Sequence, residues 1–342
     1  MISVPIDALA VGGLSLVAVV LLFVFLERPF EVAVPESLAY GLTVAVTWPH
    51  FLASYRLLYA TKARALAHPV ASIYLPLALA AVCAASVVAA PWTLAPARAL
   101  TLVSGVYLAR HYTGQTFGMM ASYAFVSGIS FSSRERFLLL SSMNVAMFWQ
   151  ISWALAGTVG LVVPSLETAV RAVDARVDPL AVLAFGLGAV ALASLARRTG
   201  TSPPLRVVVP FLALFAWYAL LRRDPTSLVV VQVSHALQYL AFPLRIHENE
   251  ASGSPARLSP ARATAFVASL ALVGFAVFAG VPALFSYGFR SSGGVSDVAS
   301  AFTSSFVAFV NIHHYFVDGS LYKLRNPEVR RSLFSHLAPR MA

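Results

Sequence analysis

The stretch PVASIYLPLALAAVCAASVVAAP, from Pro69 to Pro91, carries no charged side chain over a length that decides the fold. A helix rises 1.5 Å per residue, so roughly 20 apolar residues cross about 30 Å of hydrocarbon, and this run supplies them. Working outward, Leu9 to Leu26 repeats the pattern. The whole chain is 59% hydrophobic and only 11% charged, with a mean hydropathy of +0.78. That composition is too apolar to be the surface of a water-soluble globule. The reading is all-α: a polytopic integral membrane helix bundle.

Apolar windows bounded by charge, Pro and Gly predict about ten spans. They lie near 9 to 26, 38 to 60, 69 to 91, 99 to 126, 136 to 163, 179 to 196, 205 to 221, 226 to 245, 262 to 285 and 298 to 322. Eight spans with two re-entrant segments is the alternative. Every connection is short, so residues 1–342 form one transmembrane helical domain with a short basic C-terminal tail. The first apolar run lacks a basic leader and a small-residue cleavage site and is read as a retained span.

Basic residues after even-numbered spans (Arg56, Lys62, Arg64; Arg134, Arg136; Arg197, Arg198, Arg206; Arg245, Arg257, Arg262; Lys323, Arg325, Arg330, Arg331, Arg340) outnumber those on the other side (Arg28, Arg98, Arg171, Arg176, Arg222, Arg223, Arg290). The positive-inside rule then puts both termini of a multi-pass membrane protein in the cytoplasm. The net charge of +10 reports orientation and contact with anionic membrane lipids rather than nucleic acid. Cys83 is the sole cysteine, which excludes internal disulfides, cysteine-ligated iron–sulfur clusters and attached c-type haem.

Eight histidines remain to be explained. His68, His247 and His336 adjoin basic loops and need no role, whereas His50, His111, His235, His313 and His314 fall inside expected spans. Their spans are the second, fourth, eighth and tenth, which all run in one direction. His50 precedes Lys62 by twelve residues, His235 precedes Arg245 by ten and His314 precedes Lys323 by nine, or roughly 13 to 18 Å of helix. That is one layer of the bilayer, and His111 near the middle of its long span can join it.

Residues three or four apart share a helix face. Tyr107, His111 and Gln115 make one such face; Gln232, His235, Gln238 and Tyr239 a second; Asn311, His314 and Asp318 a third; Thr47, His50 and Ser54 a fourth. Polar faces at this depth belong inside the bundle, where intramembrane ionisable groups mark function. Neutral imidazoles gathered from several helices suit a borderline transition metal, with Fe(II) preferred, and an apolar cavity would admit dioxygen and a lipid-soluble substrate. Metal candidates are therefore His50, His111, His235, His314 and His313. Tyr239, Asp318 and Gln115 are the candidate catalytic residues, with Gln238, Asn311, Tyr107 and Arg110 as candidate partners behind the histidines. Arg110 is expected to pair with Asp318. His313 and His314 differ by about 100° around the helix, and the face shared with Asn311 and Asp318 favours His314. Pro49 is expected to kink its span, and Asn144 and Gln150 to act as interhelical glue.

The motif order resembles the Brp/Blh family of bacterial and archaeal membrane dioxygenases, which cleave β-carotene to retinal with non-haem iron. The resemblance rests on Pro49-His50, on His111 with Phe117-Gly118-Met119, on His235, and on His313 or His314 with Asp318. It implies His50, His111, His235 and one of the late pair as iron ligands. Tyr239 stands where that family's third motif has a second histidine, and Phe51-Leu52-Ala53-Ser54 replaces a Gly and an Asp after the first. A sister chemistry on another lipid is thus a parallel implication. Rival readings are a b-type haem protein, using two histidines axially, and a transporter or proton conductor with an intramembrane histidine cluster. The dense HxxxH and HxxHH boxes of membrane desaturases do not occur.

Overall fold

A computed structural model describes residues 4–25, 35–252, 259–291, 296–323 and 327–335. Among these every regular element is helical. We number them α1 (residues 4–25), α2 (36–58), α3 (Lys62–Ala67), α4 (70–89), α5 (Ala95–Val126), α6 (Ser133–Thr158), α7 (Glu167–Asp174), α8 (Asp178–Thr199), α9 (Leu205–Arg223), α10 (Leu228–Ser252), α11 (260–291), α12 (Ser296–Leu321) and α13 (Pro327–Phe334). The chain beyond residue 335, with His336 and Arg340, and the expected loop residues Arg28, Arg257 and Arg325 lie outside the described residues.

Several helices carry a widened turn, and its cause is local. Those at Thr43–Thr47 in α2, Val70–Tyr74 in α4 and Phe275–Gly280 in α11 each end two residues before a proline: Pro49, Pro76 and Pro282. Proline has no N–H to return to the preceding turn, and the backbone relaxes into wider i→i+5 hydrogen bonding there. The expected irregularity at Pro49 is therefore a π-turn one step before His50. In α1 the widened turn Leu9–Gly13 contains Gly12 at φ 139°, a conformation only glycine adopts without strain.

Among the described residues, seven helical segments are long and apolar enough to cross a membrane: Pro5–Phe23, Val70–Ala89, Ser133–Leu161, Asp178–Thr199, Leu205–Arg223, Pro225–Glu250 and Pro260–Gly288. The other three expected spans are helices too, namely α2, α5 and α12. They fall short because His50, Arg110, His111, Gln115, Asn311, the His313–His314 pair and Asp318 dilute their apolar content. Those three helices thus carry four of the five candidate histidines: His50, His111, His313 and His314. Arg245, read from sequence as a loop marker, lies inside α10 and is buried, because that helix runs on to Ser252.

A large core fills the contact of α5, α6, α8 and α9 around Met143, Phe211, Leu214, Trp217 and Tyr218. Polar pins hold its rim. Ser132 and Glu135 cap α6 reciprocally, and the buried Glu135 carboxylate accepts from Arg198 at 2.8 and 3.0 Å, tying α6 to α8. Arg222 on α9 reaches Asp174 and Asp178, each at 2.9 Å. Against this half pack α2, α10 and α12, with α5 shared by both.

Candidate metal centre

The four histidine helices meet with their residue numbers rising together. Across α5 and α12, His111 faces Tyr315 and Gln115 reaches Asp318; across α2 and α12, His50 faces His314 and Leu58 packs with Val317 and Leu321; across α5 and α10, His111 meets His235 and Tyr123 meets Phe242. Parallel helices are what a common depth requires, as the spacing to the basic ends anticipated.

At that depth the imidazoles converge. His50 Nε2 lies 3.0 Å from His314 Nε2, and His111 Nε2 lies 3.1 Å from His235 Nε2. Asp318 Oδ2 stands 3.5 Å from His314 Nε2 and 3.9 Å from His50 Nε2. Gln115 donates its Nε2 to the same carboxylate oxygen. His50 and His314 are wholly buried, and His111, His235 and Asp318 nearly so.

One aromatic follows three of these histidines, and each aromatic packs on the histidine of the next helix. Phe51, after His50, lies 4.3 Å from His314; Tyr315, after His314, stacks at 4.3 Å on His111; Tyr112, after His111, sits 4.3 Å from His235. Successive residues on a helix point about 100° apart, so in four parallel helices arranged around one point each neighbour faces its neighbour's ligand. The order around the centre is α2, α12, α5, α10. The result is a polar point sealed by rings.

The donor set fits a transition metal. One donor atom each from His50, His111, His314 and Asp318 lies within 4.8 Å of all the others. Around an ion bound at about 2.1 Å, adjacent donors are about 3.0 Å apart and opposed donors about 4.2 Å, so tightening by a few tenths of an ångström closes the shell. Three imidazoles with one carboxylate suit iron, zinc, manganese or copper alike. Unpaired buried polar atoms also concentrate here: Thr47 Oγ1, Gln115 Oε1, Asp318 Oδ1 and the Nδ1 atoms of His50, His235 and His314. Buried polar groups are ordinarily paired within the protein, so this clustering leaves the pocket with polarity to spare for a guest.

The remaining expected residues divide. His235 joins the cluster through His111 but lies outside the tight four-donor group. His313 turns away: its Nε2 is 2.7 Å from the Ala71 carbonyl, and its ring stacks on Tyr55 at 5.1 Å. Tyr239 is buried beside His50 at 5.8 Å between Tyr322 and Phe242. Four expectations fail. Arg110 is exposed on the outer face of α5 and does not meet Asp318, which takes Gln115 instead. Tyr107 is 37% exposed and rests on Phe316, because four-residue steps drift about 40° per turn around α5. Gln238 donates to the Val11 carbonyl at 2.7 Å, the widened turn of α1 having freed that acceptor. Asn311 is half-buried and makes no side-chain hydrogen bond to the cluster. Sequence reasoning missed Phe51, Tyr112 and Tyr315 as the walls, although the repeated His-aromatic pair was their signal.

Compared with family models, with characterised proteins and with solved structures, the chain matches none. The centre rests on its geometry alone.

Proposed function

We propose that the chain is a membrane-embedded, histidine-ligated metal oxygenase, with Fe(II) as the metal and dioxygen and a lipid-soluble molecule as substrates; cleavage of a carotenoid to retinal-like aldehydes is its leading instance. We read it as ten spans of a bacterial or archaeal inner membrane with both termini cytoplasmic. The observation that carries the reading is the buried convergence of His50, His111, His314 and Asp318 from three parallel helices, closed by His235 from a fourth.

Fe(II) bound by such a set, with positions left open, supplies dioxygen activation. The protein's own groups do the rest. Gln115 holds the Asp318 carboxylate in place, and the Asp318 charge offsets that of the cation where neutral imidazoles cannot. Phe51, Tyr112 and Tyr315 pack on the imidazole rings and would keep water from the reacting groups. Tyr239 offers a phenol proton beside His50. An apolar cavity of about 550 Å³ between α5, α6, α9 and α10 reaches Tyr112, one ring away from His235, and supports a lipid-soluble substrate.

The haem alternative is poorly served. Two axial imidazole nitrogens on one iron stand about 4 Å apart with a macrocycle between them, whereas here pairs close to 3.0 and 3.1 Å and a carboxylate fills the flank. A proton pathway needs a chain of ionisable groups leading away from the cluster, and aromatic rings surround this one.

The test is metal content and visible spectrum of detergent-purified protein, followed by product analysis with β-carotene under air. About one iron per chain, no Soret band and aldehyde product agree with the proposal. A Soret band, or protein that binds no transition metal after reconstitution, overturns it.

A further inference from the structure

Gln150 was expected to glue α6 to a neighbour, yet it does not. The residue is 5% exposed, its Oε1 is buried with no partner, and it lines the 550 Å³ cavity. Nearby polar side chains are already committed: Asp174 accepts from Ser152 at 2.8 Å and Arg222 at 2.9 Å, and Tyr218 donates to the Ala109 carbonyl at 3.1 Å. Thr101 and Thr158 hydrogen-bond to carbonyls of their own helices and Arg171 pairs with Glu167, and the rest of the lining is mainly apolar.

The placement of Gln150 follows from the α5–α6 hairpin. Gly105 opposes Ala154, where a side chain would begin 4.0 Å from the Ala154 Cβ, and antiparallel counting brings Ala109 level with Gln150. Ala109 is two residues from His111, so the carboxamide sits at the depth of the metal centre. Away from it the cavity follows α5 from Tyr112 to Thr101, roughly 16 Å of helix, toward Arg171 in the last turn of α7. It is a slot for an extended chain, with the buried, unpaired Gln150 Oε1 toward its inner end.

We infer that this slot binds a hydroxylated lipid-soluble chain, with the hydroxyl hydrogen-bonded to Gln150 at the depth of the metal centre. A hydroxyl is the fitting partner because it donates to Oε1 and also accepts from the Gln150 amide N–H, whereas a bare hydrocarbon leaves the buried carboxamide unpaired. That this ligand is the substrate rests on the oxygenase reading. That the slot binds it does not.

The experiment is equilibrium binding of tritiated 1-dodecanol and tritiated dodecane to the detergent-purified, full-length protein. Wild type should prefer the alcohol by about tenfold beyond the preference of the detergent itself, the yield of one well-made hydrogen bond. Gln150→Leu and Gln150→Met should erase that preference while leaving dodecane binding and metal content unchanged. Gly105→Leu, which fills the slot, should weaken both ligands. Equal binding of the two by wild type, or a preference surviving in both Gln150 variants that remain monodisperse, overturns the inference. The two readings fail separately: alcohol preference in a protein that yields no oxygenated product leaves the slot standing and sinks the oxygenase. Product formation without alcohol preference does the reverse.

Discussion

Replacing Asp318 with asparagine separates a metal centre from a merely structural polar cluster, because the two predict opposite signs for stability. Asp318→Asn keeps the shape of the side chain and an oxygen for Gln115 to donate to, and removes only the charge. If the cluster holds a divalent metal, it loses the single anionic donor among His50, His111, His314 and Asp318. Loss of groups that merely support ligands weakens metal binding by about 10- to 100-fold, so loss of this donor weakens it by about 100-fold or more. At free metal 100 times the wild-type Kd, binding stabilises wild type by about 2.7 kcal/mol, while the variant retains about 0.4 kcal/mol, the value at a metal concentration equal to its Kd. The difference, about 2.3 kcal/mol, is roughly 3 °C of melting temperature for a chain of this size. If the cluster is only a hydrogen-bonded network, neutralising a carboxylate that is 3% exposed removes a desolvation cost, and the variant is as stable as wild type or more so. The assay is thermal unfolding in detergent with and without chelator, paired with elemental analysis. Wild type should lose its extra stability on chelation, and Asp318→Asn should be indifferent to it. A variant that keeps metal like wild type, or a wild type whose melting ignores chelator, refutes the ligand set.

Three further outcomes follow from the same geometry. His313→Ala should keep full metal stoichiometry and lose about 1–3 kcal/mol of stability with its bond to the Ala71 carbonyl and its stacking on Tyr55, as measured by chemical unfolding; metal loss would show that the outward-facing placement is wrong. His235→Ala should weaken metal binding by about 10- to 100-fold in chelator competition without abolishing it, since His235 acts on the four-donor group through His111; complete loss would make it a full ligand and unchanged affinity would remove it from the centre. Gly188→Leu should drive a side chain into the Phe211 ring at the contact of α8 and α9, costing about 1–3 kcal/mol and lowering the yield of monodisperse protein, while the folded fraction still binds one metal; an unaffected yield would mean that contact is looser than the structure has it.

What the sequence makes legible here is what repeats at fixed spacing. Uncharged runs such as Pro69 to Pro91 announce helices of membrane-crossing length, and counting from each histidine to the nearest basic end places His50, His235 and His314 in one layer, because both inferences need only the helical rise. What stays hidden depends on rotation about the helix axis and on the partner chosen across it. Arg110 and Gln115 lie five residues apart on α5, a step of about 140°, so either could be drawn toward Asp318 on paper; packing against α12 selects Gln115 and leaves Arg110 on the outer face. Gln238 is diverted for a different reason, since Gly12 opens the turn whose Val11 carbonyl it answers, more than 200 residues earlier in the chain. The aromatic walls lie between these cases. His50-Phe51, His111-Tyr112 and His314-Tyr315 are visible as pairs, but one ring beside a histidine in its own helix says little. Only when the helices are parallel and arranged in a ring does the 100° offset send each aromatic to the next histidine, so the repeated dipeptide becomes evidence for the arrangement itself. The pattern stops at His235-Ala236, so the ring closes from α10 to α2 without an aromatic following its histidine, and Tyr239 packs beside His50 there instead.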